Sequence, residues 1–562
     1  MDMLDWLENP APDRGVNFFD TDRGWVFRPY SELAVQAARI AALLVREGGR
    51  RGDVVSLLLG DMESFVPAFL GTMMAGLTPS PIASPVAFEG AEHYLAHVTG
   101  IVRVARPALL LSDEVLASTA RRAAEQVGTG RTLVIGDPAA LPEEIIPVQR
   151  QADIALLQFT SGSSGKPKGV MVSPENLGAN VSAIHGWLGL TPDDSCSSWL
   201  PMYHDMGLVG TFLGSVAAQI DLWLMTPVDF IRSPLRWLEC HGLNGVTITT
   251  APNFGYSYAA RRVRPDDVAG MDFSRWRVAM NGAERIVPAA AADFAALLGP
   301  YGFRSTTFAP CYGLAESTLA VTGIRPGNAA RVIRLDGGLE TGSPVKVADE
   351  GHLGSPLPTG DSGWLTSCGT PVPGAVVEIV DEQGTALPDG SFGEIRLGGP
   401  SVALGYRALE EAASSNFTEA GLNTGDSGFL LNGELYVVGR VGDSLKIRGR
   451  KIHAEDVEAA LTTVPGIPVG RCAVALGGGE GAHQAVVLVE SANADWLDGA
   501  LAVIRSVADA SVEVTVLRVQ RGGIPRTSSG KPRRRLIWSQ AQEHALPGDV
   551  VHSTAAAREA AV

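Results

Sequence analysis

The chain of 562 residues is longer than the roughly 250 to 300 residues at which single hydrophobic cores stop growing, so two or three domains are expected. Its hydrophobic share of 45% and charged share of 19% are those of a folded globular protein and exclude a mainly disordered chain. The net charge of −16 repels nucleic acid, and because no basic stripe is present, a nucleic-acid partner is not expected.

The five cysteines lie far apart, without the spacing of a zinc site or a disulfide framework, which favours a reducing compartment and indicates a cytoplasmic protein. The amino terminus is acidic where a signal peptide would be basic and then apolar. The most apolar window, residues 66–83, is interrupted by glycine and proline and is shorter than the ~20 residues of a membrane span. We therefore expect no export and no integral membrane association.

The first regular element is an amphipathic helix over residues 31–47, with Ser31 as the predicted N-cap. Apolar runs then predict strands that alternate with helical segments, at 54–59, 132–137, 154–160 and 245–252. This alternation indicates an α/β fold, with layered sheets and covering helices, for a large N-terminal portion that we place at residues 1–438.

Residues 322–366 interrupt this pattern, because they are rich in glycine, proline and aspartate and show little periodicity. They are predicted to form a long ordered insertion or loop. After Arg440 the strand and helix patterns return and predict a small, mobile α+β C-terminal domain over residues 439–545. Residues 546–562 have no apolar pattern and are predicted to be a disordered tail.

The segment TSGSSGKPKG, residues 160–169, directly follows a predicted strand and carries the first chemical signal. Its glycines allow close approach of the backbone to an anion, and its hydroxyls, amides and lysines can bind phosphate oxygens. It differs from the Walker pattern, because Lys166 is followed by proline. The segment predicts a polyphosphate site; the alternative is a flexible surface turn.

Further motifs follow along the chain: WLPMYHDMGL (199–208), NGAE (281–284), CYGLAES (311–317), NTGD (423–426), ELYVVGR (434–440) and RTSSGK (526–531). Each is weak alone. Together and in this order they resemble the adenylate-forming superfamily of acyl-CoA synthetases, peptide-synthetase adenylation domains and luciferases, over nearly the whole chain. The segments YHDMGL, APNFGY (251–256), NGAERI, 322–366 and IRGRKIHAEDVE (447–458) are most similar to fatty acyl-AMP ligases.

The resemblance implies ATP and Mg²⁺ as cofactors and three catalytic residues. Lys531 would reach the forming carboxyl–phosphate bond, Glu316 would be the metal ligand that holds Mg²⁺ against the phosphates, and Thr160 would begin the phosphate loop. Outside the family context, Lys531 would belong to a solvated basic run and Glu316 to a charged helix surface.

For the nucleotide, the resemblance implies that Tyr312 stacks on adenine, that Asp426 accepts hydrogen bonds from the ribose hydroxyls, and that Arg440 assists at the ribose or phosphate. Outside the family context, Tyr312 would be a core aromatic residue, Asp426 would belong to a turn and Arg440 would end a strand. The complete implied nucleotide-binding set is Thr160, Ser161, Gly162, Ser163, Ser164, Gly165, Lys166, Lys168, Asn281, Gly282, Ala283, Glu284, Cys311, Tyr312, Gly313, Leu314, Asp426 and Arg440.

An acyl pocket is predicted around the YHDMGL motif, with a gate or wall role for His204, since a carboxylate substrate is already ionised near neutral pH and needs no general base. A methionine-rich stretch is also typical of an ordinary core. The predicted pocket residues are Met202, His204, Met206, Gly207, Leu208 and Met280, with Gly210 and Gly282 as small neighbours.

Two positions depart from the family pattern. Gly442 stands where the family carries Lys or Asp as the pivot between the two domains, and Lys451 stands where Asn is expected. Gly442 is the predicted hinge, and the departures bear on how the small domain rotates.

The resemblance thus implies an enzyme, an acid–thiol ligase, that activates an apolar carboxylic acid with ATP to acyl-AMP, releases pyrophosphate and passes the acyl group to the phosphopantetheine thiol of a carrier protein. One alternative is an acyl-CoA ligase with CoA as the acceptor. Another is an amidase-type hydrolase with Ser and Lys in its glycine-rich loop, which predicts no ATP dependence. A third is a noncatalytic relative, against which the presence of Lys531, Glu316 and Asp426 argues.

Overall fold

A computed structural model describes residues 1–85, 90–142, 146–149, 152–160, 167–357, 363–407, 416–447, 450–468, 470–479, 482–508, 512–527, 530–543 and 545–554. Up to residue 160 its elements are β1 (Gly15–Asp20), β2 (Gly24–Pro29), α1 (Tyr30–Arg46), β3 (Val54–Leu58), α2 (Met62–Met74), β4 (Thr78–Pro81), α3 (Ala91–Ala105), β5 (Leu109–Ser112), α4 (Ala117–Val127), β6 (Arg131–Val134) and β7 (Leu156–Thr160).

Between residues 168 and 323 the elements are β8 (Lys168–Val172), α5 (Pro174–Leu188), β9 (Ser195–Ser198), α6 (Gly214–Ala218), β10 (Asp221–Leu224), α7 (Pro227–Arg232), α8 (Pro234–Gly242), β11 (Ile248–Ala251), α9 (Asn253–Arg262), β12 (Val278–Asn281), α10 (Pro288–Leu298), β13 (Phe308–Gly313) and β14 (Ala320–Gly323). A π-helix, Met206–Leu213, precedes α6.

The remaining elements are β15 (Arg331–Leu335), β16 (Val347–His352), β17 (Trp364–Thr366), β18 (Thr370–Pro371), β19 (Val376–Val380), β20 (Gly393–Gly398), β21 (Tyr406–Arg407), β22 (Phe417–Thr418), β23 (Gly421–Leu431), β24 (Glu434–Arg440), β25 (Ser444–Ile447), β26 (Arg450–His453), α11 (Ala454–Leu461), β27 (Cys472–Gly479), β28 (Ala482–Glu490), α12 (Leu497–Ala508), β29 (Glu513–Val519), α13 (Arg534–Gln542) and β30 (Asp549–Ser553).

Helix α1 illustrates how the apolar pattern determines the packing. The residues Leu33, Ala37, Ile40 and Leu44, which share one face, are fully buried. The helix begins one residue before the predicted start, and Pro29 rather than Ser31 holds the capping position. The reason is Tyr30, whose buried ring anchors the first turn and whose hydroxyl donates to the carbonyl of Ile220 at 2.7 Å.

The large N-terminal portion is built on a nine-stranded sheet in the order β18-β14-β13-β12-β11-β9-β10-β1-β2. Strands β13, β12, β11, β9, β10 and β1 run parallel, so their carboxyl ends share one edge of the sheet. A four-stranded parallel sheet, β4-β3-β5-β6, and a three-stranded sheet, β21-β8-β7, form further layers with their helices. The predicted α/β class with layered sheets is confirmed.

Segment 322–366 contains regular strands where the sequence suggested an insertion or loop. Strands β15, β16 and β17 pair antiparallel in the order β16-β15-β17. Half of β16 faces solvent, which explains why its composition carried no apolar signal. Ile333 and Leu365 of this sheet share a buried cluster with Tyr436 and Val438 of β24. The segment therefore packs on the strand that leads toward the small domain.

The small C-terminal domain is α+β. It contains the hairpin β25-β26 and the sheet β27-β28-β29-β30, with buried side chains of α11 and α12 on one face and of α13 on the other. The tail prediction from residue 546 is wrong for residues 549–553, because β30 pairs antiparallel with β29 and adds an edge strand there. Residues 555–562 lie outside the described part of the chain.

Among the described residues, none of the helices is both long enough and apolar enough to span a lipid bilayer.

Candidate active site

The motif residues Asn281 and Cys311 lie at the shared edge of the nine-stranded sheet. Asn281 ends β12 and pairs in register with Pro310 of β13, so the segments NGAE and CYGL leave the sheet side by side. Gly282 is required by this closeness, since a Cβ there would lie 2.9 Å from Cys311 Sγ. Ala283 has a positive φ of 67°, uncommon for a residue with a side chain.

The side chain of Asn281 is 1% exposed, and its amide nitrogen and oxygen have no hydrogen-bond partner among the described residues. Unpaired buried polar atoms are costly, so an amide in this state suits a site that receives a polar ligand or water. The Cys311 thiol beside it has its pKa raised to about 12 by burial, which makes it unreactive near neutral pH. Gly313 and Leu314 continue the same segment, where Leu314 packs near Tyr312.

Asp426 is held from two sides. Asp426 on β23 pairs in register with Arg440 on β24, whose Nε lies 2.9 Å from Asp426 Oδ1. The hydroxyl of Tyr312 donates to Asp426 Oδ2 at 2.7 Å. Burial, and then the negative charge of Asp426, raises the pKa of Tyr312 well above its ordinary value, so this hydroxyl remains a donor. The three residues predicted to bind the nucleoside are thus in direct contact.

Glu316 is likewise engaged by a residue that the sequence analysis did not identify. The hydroxyl of Tyr406 donates to Glu316 Oε1 at 2.7 Å, and the ammonium of Lys168 lies 4.7 Å from the centre of the Tyr406 ring. Nothing local in the sequence marks Tyr406, because its partner is 90 positions away. The arrangement links the carboxylate of the CYGLAES motif to a lysine of the glycine-rich segment.

Thr160 and Lys168 are the ends of that segment. They pair in register across the antiparallel strands β7 and β8. Thr160 Oγ1 is buried and has no hydrogen-bond partner among the described residues. The predicted phosphate-binding residues Ser161, Gly162, Ser163, Ser164, Gly165 and Lys166 lie outside the described residues.

His204 forms an ion-pair contact with its neighbour Asp205, with 2.7 Å between Nδ1 and Oδ1. Burial acts to raise the pKa of Asp205, but His204, the backbone N–H of Met206 and Lys531 together lower it below its ordinary value. An ionised Asp205 thus fixes the orientation of His204 at the start of the π-helix, an element that often occurs at functional sites.

The other predicted acyl-pocket residues are buried. Met202, Leu208 and Met280 belong to one apolar cluster, and Met206 belongs to the neighbouring one. Gly207 packs closely, since a Cβ there would lie 2.7 Å from the carbonyl oxygen of Pro201. Three of the predicted pocket residues thus belong to one apolar cluster. The same burial is expected of ordinary core residues.

Lys531 lies on a turn of the small domain, where its backbone N–H contacts Thr527 Oγ1 at 3.1 Å and its carbonyl accepts from the Thr527 N–H at 2.8 Å. The residue keeps much of its surface in water. The surrounding protein and then Arg440 lower the pKa of its ammonium, whereas Asp426, Asp205 and Glu284 oppose this change. Three carboxylates of the large portion thus favour the charged form of this ammonium, which belongs to the small domain.

Glu284 is one of these three carboxylates. Its Oε1 accepts a hydrogen bond from the backbone N–H of Phe254 at 2.7 Å. Burial raises the pKa of Glu284, and Lys531 and Arg526 of the small domain oppose the rise. The next residue, Arg285, forms an ion pair with Asp456 of α11, with 2.6 Å between Nη1 and Oδ1. The NGAER segment therefore contacts the small domain through two consecutive charged residues.

The predicted hinge, Gly442, lies in a 3₁₀ turn, Val441–Asp443, that follows Arg440. Its φ lies outside the left-handed region, so the backbone conformation in this orientation is one that residues with a side chain also adopt. Arg534 of α13 contacts Asp443 at 3.2 Å and also pairs with Glu455 and Glu458 of α11. Arg534 thus ties the turn to the small domain, a role that the sequence analysis missed.

Comparison with known proteins identifies relatives of this chain over most of its length. A provisionally described acyl-CoA synthetase of Caulobacter vibrioides is 33% identical, with 93% of this chain and 92% of the relative covered. The medium-chain-fatty-acid–[acyl-carrier-protein] ligase JamA of Moorena producens is 31% identical, with 90% and 88% covered. A solved structure from a study of fatty acyl-adenylate ligases of E. coli and L. pneumophila matches with a TM-score of 0.85 and 32% identity, covering 97% of this chain and 98% of that one.

The family model described as AMP-binding enzyme matches residues 11–407, the part that carries every predicted site residue except Asp426, Arg440, Gly442 and Lys531. The chain therefore belongs to the AMP-binding family of adenylate-forming enzymes.

Proposed function

We propose that the protein activates a fatty or similarly apolar carboxylic acid with ATP, forming acyl-AMP and pyrophosphate, and then transfers the acyl group to the phosphopantetheine thiol of a carrier protein. The observation that carries this proposal is the direct contact of Tyr312, Asp426 and Arg440, to which the small domain adds the Lys531 ammonium, whose pKa responds to Asp426, Asp205 and Glu284. A cation brought by the small domain to the edge of the large sheet suits a reaction that develops negative charge there.

In the first half-reaction a carboxylate oxygen attacks the α-phosphorus of ATP, and pyrophosphate leaves in line. Tyr312, Asp426 and Arg440 would bind the nucleoside, and the paired acceptors of Asp426 suit the two ribose hydroxyls. Lys531 would stabilise the charge that spreads over the phosphate oxygens in the transition state. No general base is required, which leaves His204 a positioning role beside the acyl group.

Glu316 suits Mg²⁺, because this ion is commonly held by one or two carboxylates and by the substrate phosphates. Tyr406 occupies one of its carboxylate oxygens by a neutral hydrogen bond and leaves the second oxygen for the metal. When bound, Mg²⁺ would neutralise charge on the phosphates.

The acyl pocket would lie along Met202, Leu208 and Met280, behind His204. Their buried, flexible and apolar side chains suit an alkyl chain and offer no charged partner to a polar acid. The five free cysteines suit a reducing compartment such as the cytoplasm.

A carrier protein rather than CoA is favoured as the acceptor by segment 322–366. Its buried residues pack on Tyr436 and Val438, and Phe392 of the same cluster lies 6.3 Å, between ring centres, from His453 of the small domain. A restraint of only ~1.4 kcal/mol on rotation would lower the population of the thioester-forming orientation tenfold. A docked carrier protein could supply that energy. The provisional acyl-CoA synthetase among the relatives keeps CoA as the second candidate.

The proposal is tested by supplying a fatty acid and ATP with either CoA or a phosphopantetheinylated carrier protein and following products by mass spectrometry. We expect acyl-AMP in both reactions and rapid acyl transfer only to the carrier. Acyl-CoA formation as fast as adenylation would make the protein an acyl-CoA ligase. Absence of acyl-AMP with every acid would contradict the proposal as a whole.

A further inference from the structure

Helices α7 and α9 expose three large apolar side chains on one face. Val228, Ile231 and Phe254 are 51%, 42% and 41% exposed. Tyr258 connects them, because its hydroxyl donates to the carbonyl of Ile231 at 2.8 Å and its ring centre lies 5.4 Å from that of Phe254. We call this surface the α7–α9 patch. Apolar side chains grouped in this way on a soluble surface commonly mark an interaction site.

The α7–α9 patch is also positively charged. Arg232, Arg261 and Arg262 are exposed, and no carboxylate pairs with any of them among the described residues. Arg262 instead lies over the ring of Tyr258, with 5.8 Å from Cζ to the ring centre. The nearby Arg264, by contrast, is paired with Asp267 at 2.8 Å. These arginines give the patch a local positive charge on a chain whose net charge is −16.

The patch adjoins the candidate active site. The backbone N–H of Phe254 donates to Glu284, and Glu284 is one of the carboxylates near Lys531. The exposed ring of Phe254 therefore marks the point at which the patch meets the cleft between the two parts. A partner bound to the patch would stand at the entrance to the site where acyl-AMP is proposed to form.

We propose that the α7–α9 patch is the docking surface for the carrier protein that accepts the acyl group, recognised as an acidic domain with an exposed apolar side chain. This inference rests on the proposed function and names where its second substrate binds. Negative charge on the carrier would be steered to the arginines, and its apolar side chain would pack on Val228, Ile231 and Phe254.

Other occupants fit the patch less well. A second copy of this chain in a symmetric dimer would oppose arginine to arginine, which costs free energy. Free CoA would use the arginines for its phosphates but would leave the apolar residues uncovered. An acidic protein satisfies both features of the patch, the charge and the apolar area.

The test is the double charge reversal Arg232→Glu/Arg261→Glu, compared with Arg103→Glu/Arg121→Glu. The control arginines are exposed on α3 and α4 and likewise lack a carboxylate partner among the described residues. The probe is a panel of acidic, phosphopantetheinylated acyl carrier proteins, of which the one that the unmodified enzyme loads fastest is used. ATP–pyrophosphate exchange with a fatty acid and transfer to free pantetheine are measured beside transfer to the carrier.

We expect the patch variant to lower kcat/KM for the carrier by at least about tenfold, mainly through KM, and to weaken its dependence on salt. Pyrophosphate exchange and transfer to pantetheine should match the unmodified enzyme, and the control variant should be unaffected in all assays. Carrier loading that is equal in both variants would overturn the docking proposal, as would an equal loss in transfer to free pantetheine by the patch variant. If the unmodified enzyme shows no exchange, or adenylates but loads no carrier, the proposed function itself fails, and the docking surface with it.

Discussion

Arg285 and Asp456 form an ion pair of 2.6 Å that joins the large N-terminal portion to helix α11 of the small domain. Both side chains are at most about one-third exposed, at 19% and 35%. Because Arg285 follows Glu284 directly, the pair lies next to the carboxylate that faces Lys531. The pair therefore stabilises the orientation in which Lys531 enters the site.

Removing this pair should slow adenylation without altering the binding of ATP. A partly exposed ion pair contributes about 1 kcal/mol, so Arg285→Ala should lower the population of this orientation, and hence kcat for pyrophosphate exchange, about fivefold. The charge swap Arg285→Asp/Asp456→Arg should recover most of the rate, because it restores the attraction. A swap that is slower than either single variant would indicate that Arg285 acts through something other than Asp456.

Lys531→Ala should lower the adenylation rate by on the order of 10², while the affinity for ATP changes little, because the cation acts mainly on charge that develops in the transition state. Single-turnover acyl-AMP formation and equilibrium nucleotide binding measure the two effects separately. Arg521→Ala, an exposed cation of the same domain, serves as the matched control. An unchanged turnover of the Lys531 variant would remove that residue from the site.

Asp426→Ala should weaken ATP binding, since its carboxylate is proposed to hold the ribose in both the ground state and the transition state. Tyr312→Phe keeps the ring proposed to stack on adenine and removes only the 2.7 Å hydrogen bond to Asp426, so its effect should be several-fold smaller than that of Tyr312→Ala. Calorimetric titration with ATP measures all three variants. Equal losses for the two Tyr312 variants would show that the hydrogen bond, and not the ring, matters.

Glu455 should make stability depend on pH. Burial raises its pKa to about 7 from its ordinary 4.5, with Arg534 opposing the rise and Glu458 and Asp443 adding to it. The folded state therefore holds a proton that the unfolded state has lost between these two pKa values. Ionisation of Glu455 leaves the free energy of unfolding unchanged below pH 4.5 and lowers it progressively until the full reduction is reached above pH 7. Glu455→Gln should raise Tm relative to the unmodified protein more at pH 8 than at pH 5.

The matched control for that measurement is Glu382→Gln, at an exposed position on the large portion. The difference in Tm between the Glu382→Gln variant and the unmodified protein should be the same at both pH values. A Glu455→Gln variant whose Tm lies below that of the unmodified protein by the same amount at both pH values would mean that Glu455 is ionised throughout and is stabilised by Arg534.

The elements with a continuous or periodic apolar pattern were predictable from the sequence. Strands β3, β7 and β11 occur within the predicted runs, and the buried face of α1 is the predicted one. Short edge strands were not predictable, because β16 alternates between half-buried and exposed positions and β30 has no buried residue. Neither leaves the apolar pattern on which such predictions depend.

The motifs identified the residues of the candidate site but not the contacts that hold them. Tyr406 and Glu316 are 90 positions apart, and Arg285 and Asp456 are 171 positions apart. Pairs of this kind arise only when distant elements pack together, and a single sequence contains no local pattern that reports them. The role of Arg534 could not be predicted for the same reason, because its carboxylate partners lie on α11 and in the turn Val441–Asp443.

The most direct test of the central claim is ATP–pyrophosphate exchange measured across a panel of carboxylic acids that vary in length, branching and polarity, with Lys531→Ala as the inactive reference. We predict exchange that depends on the acid, is strongest with apolar acids and falls by on the order of 10² in the variant. Exchange that is absent with every acid, or equal in the variant and the unmodified enzyme, would contradict the account.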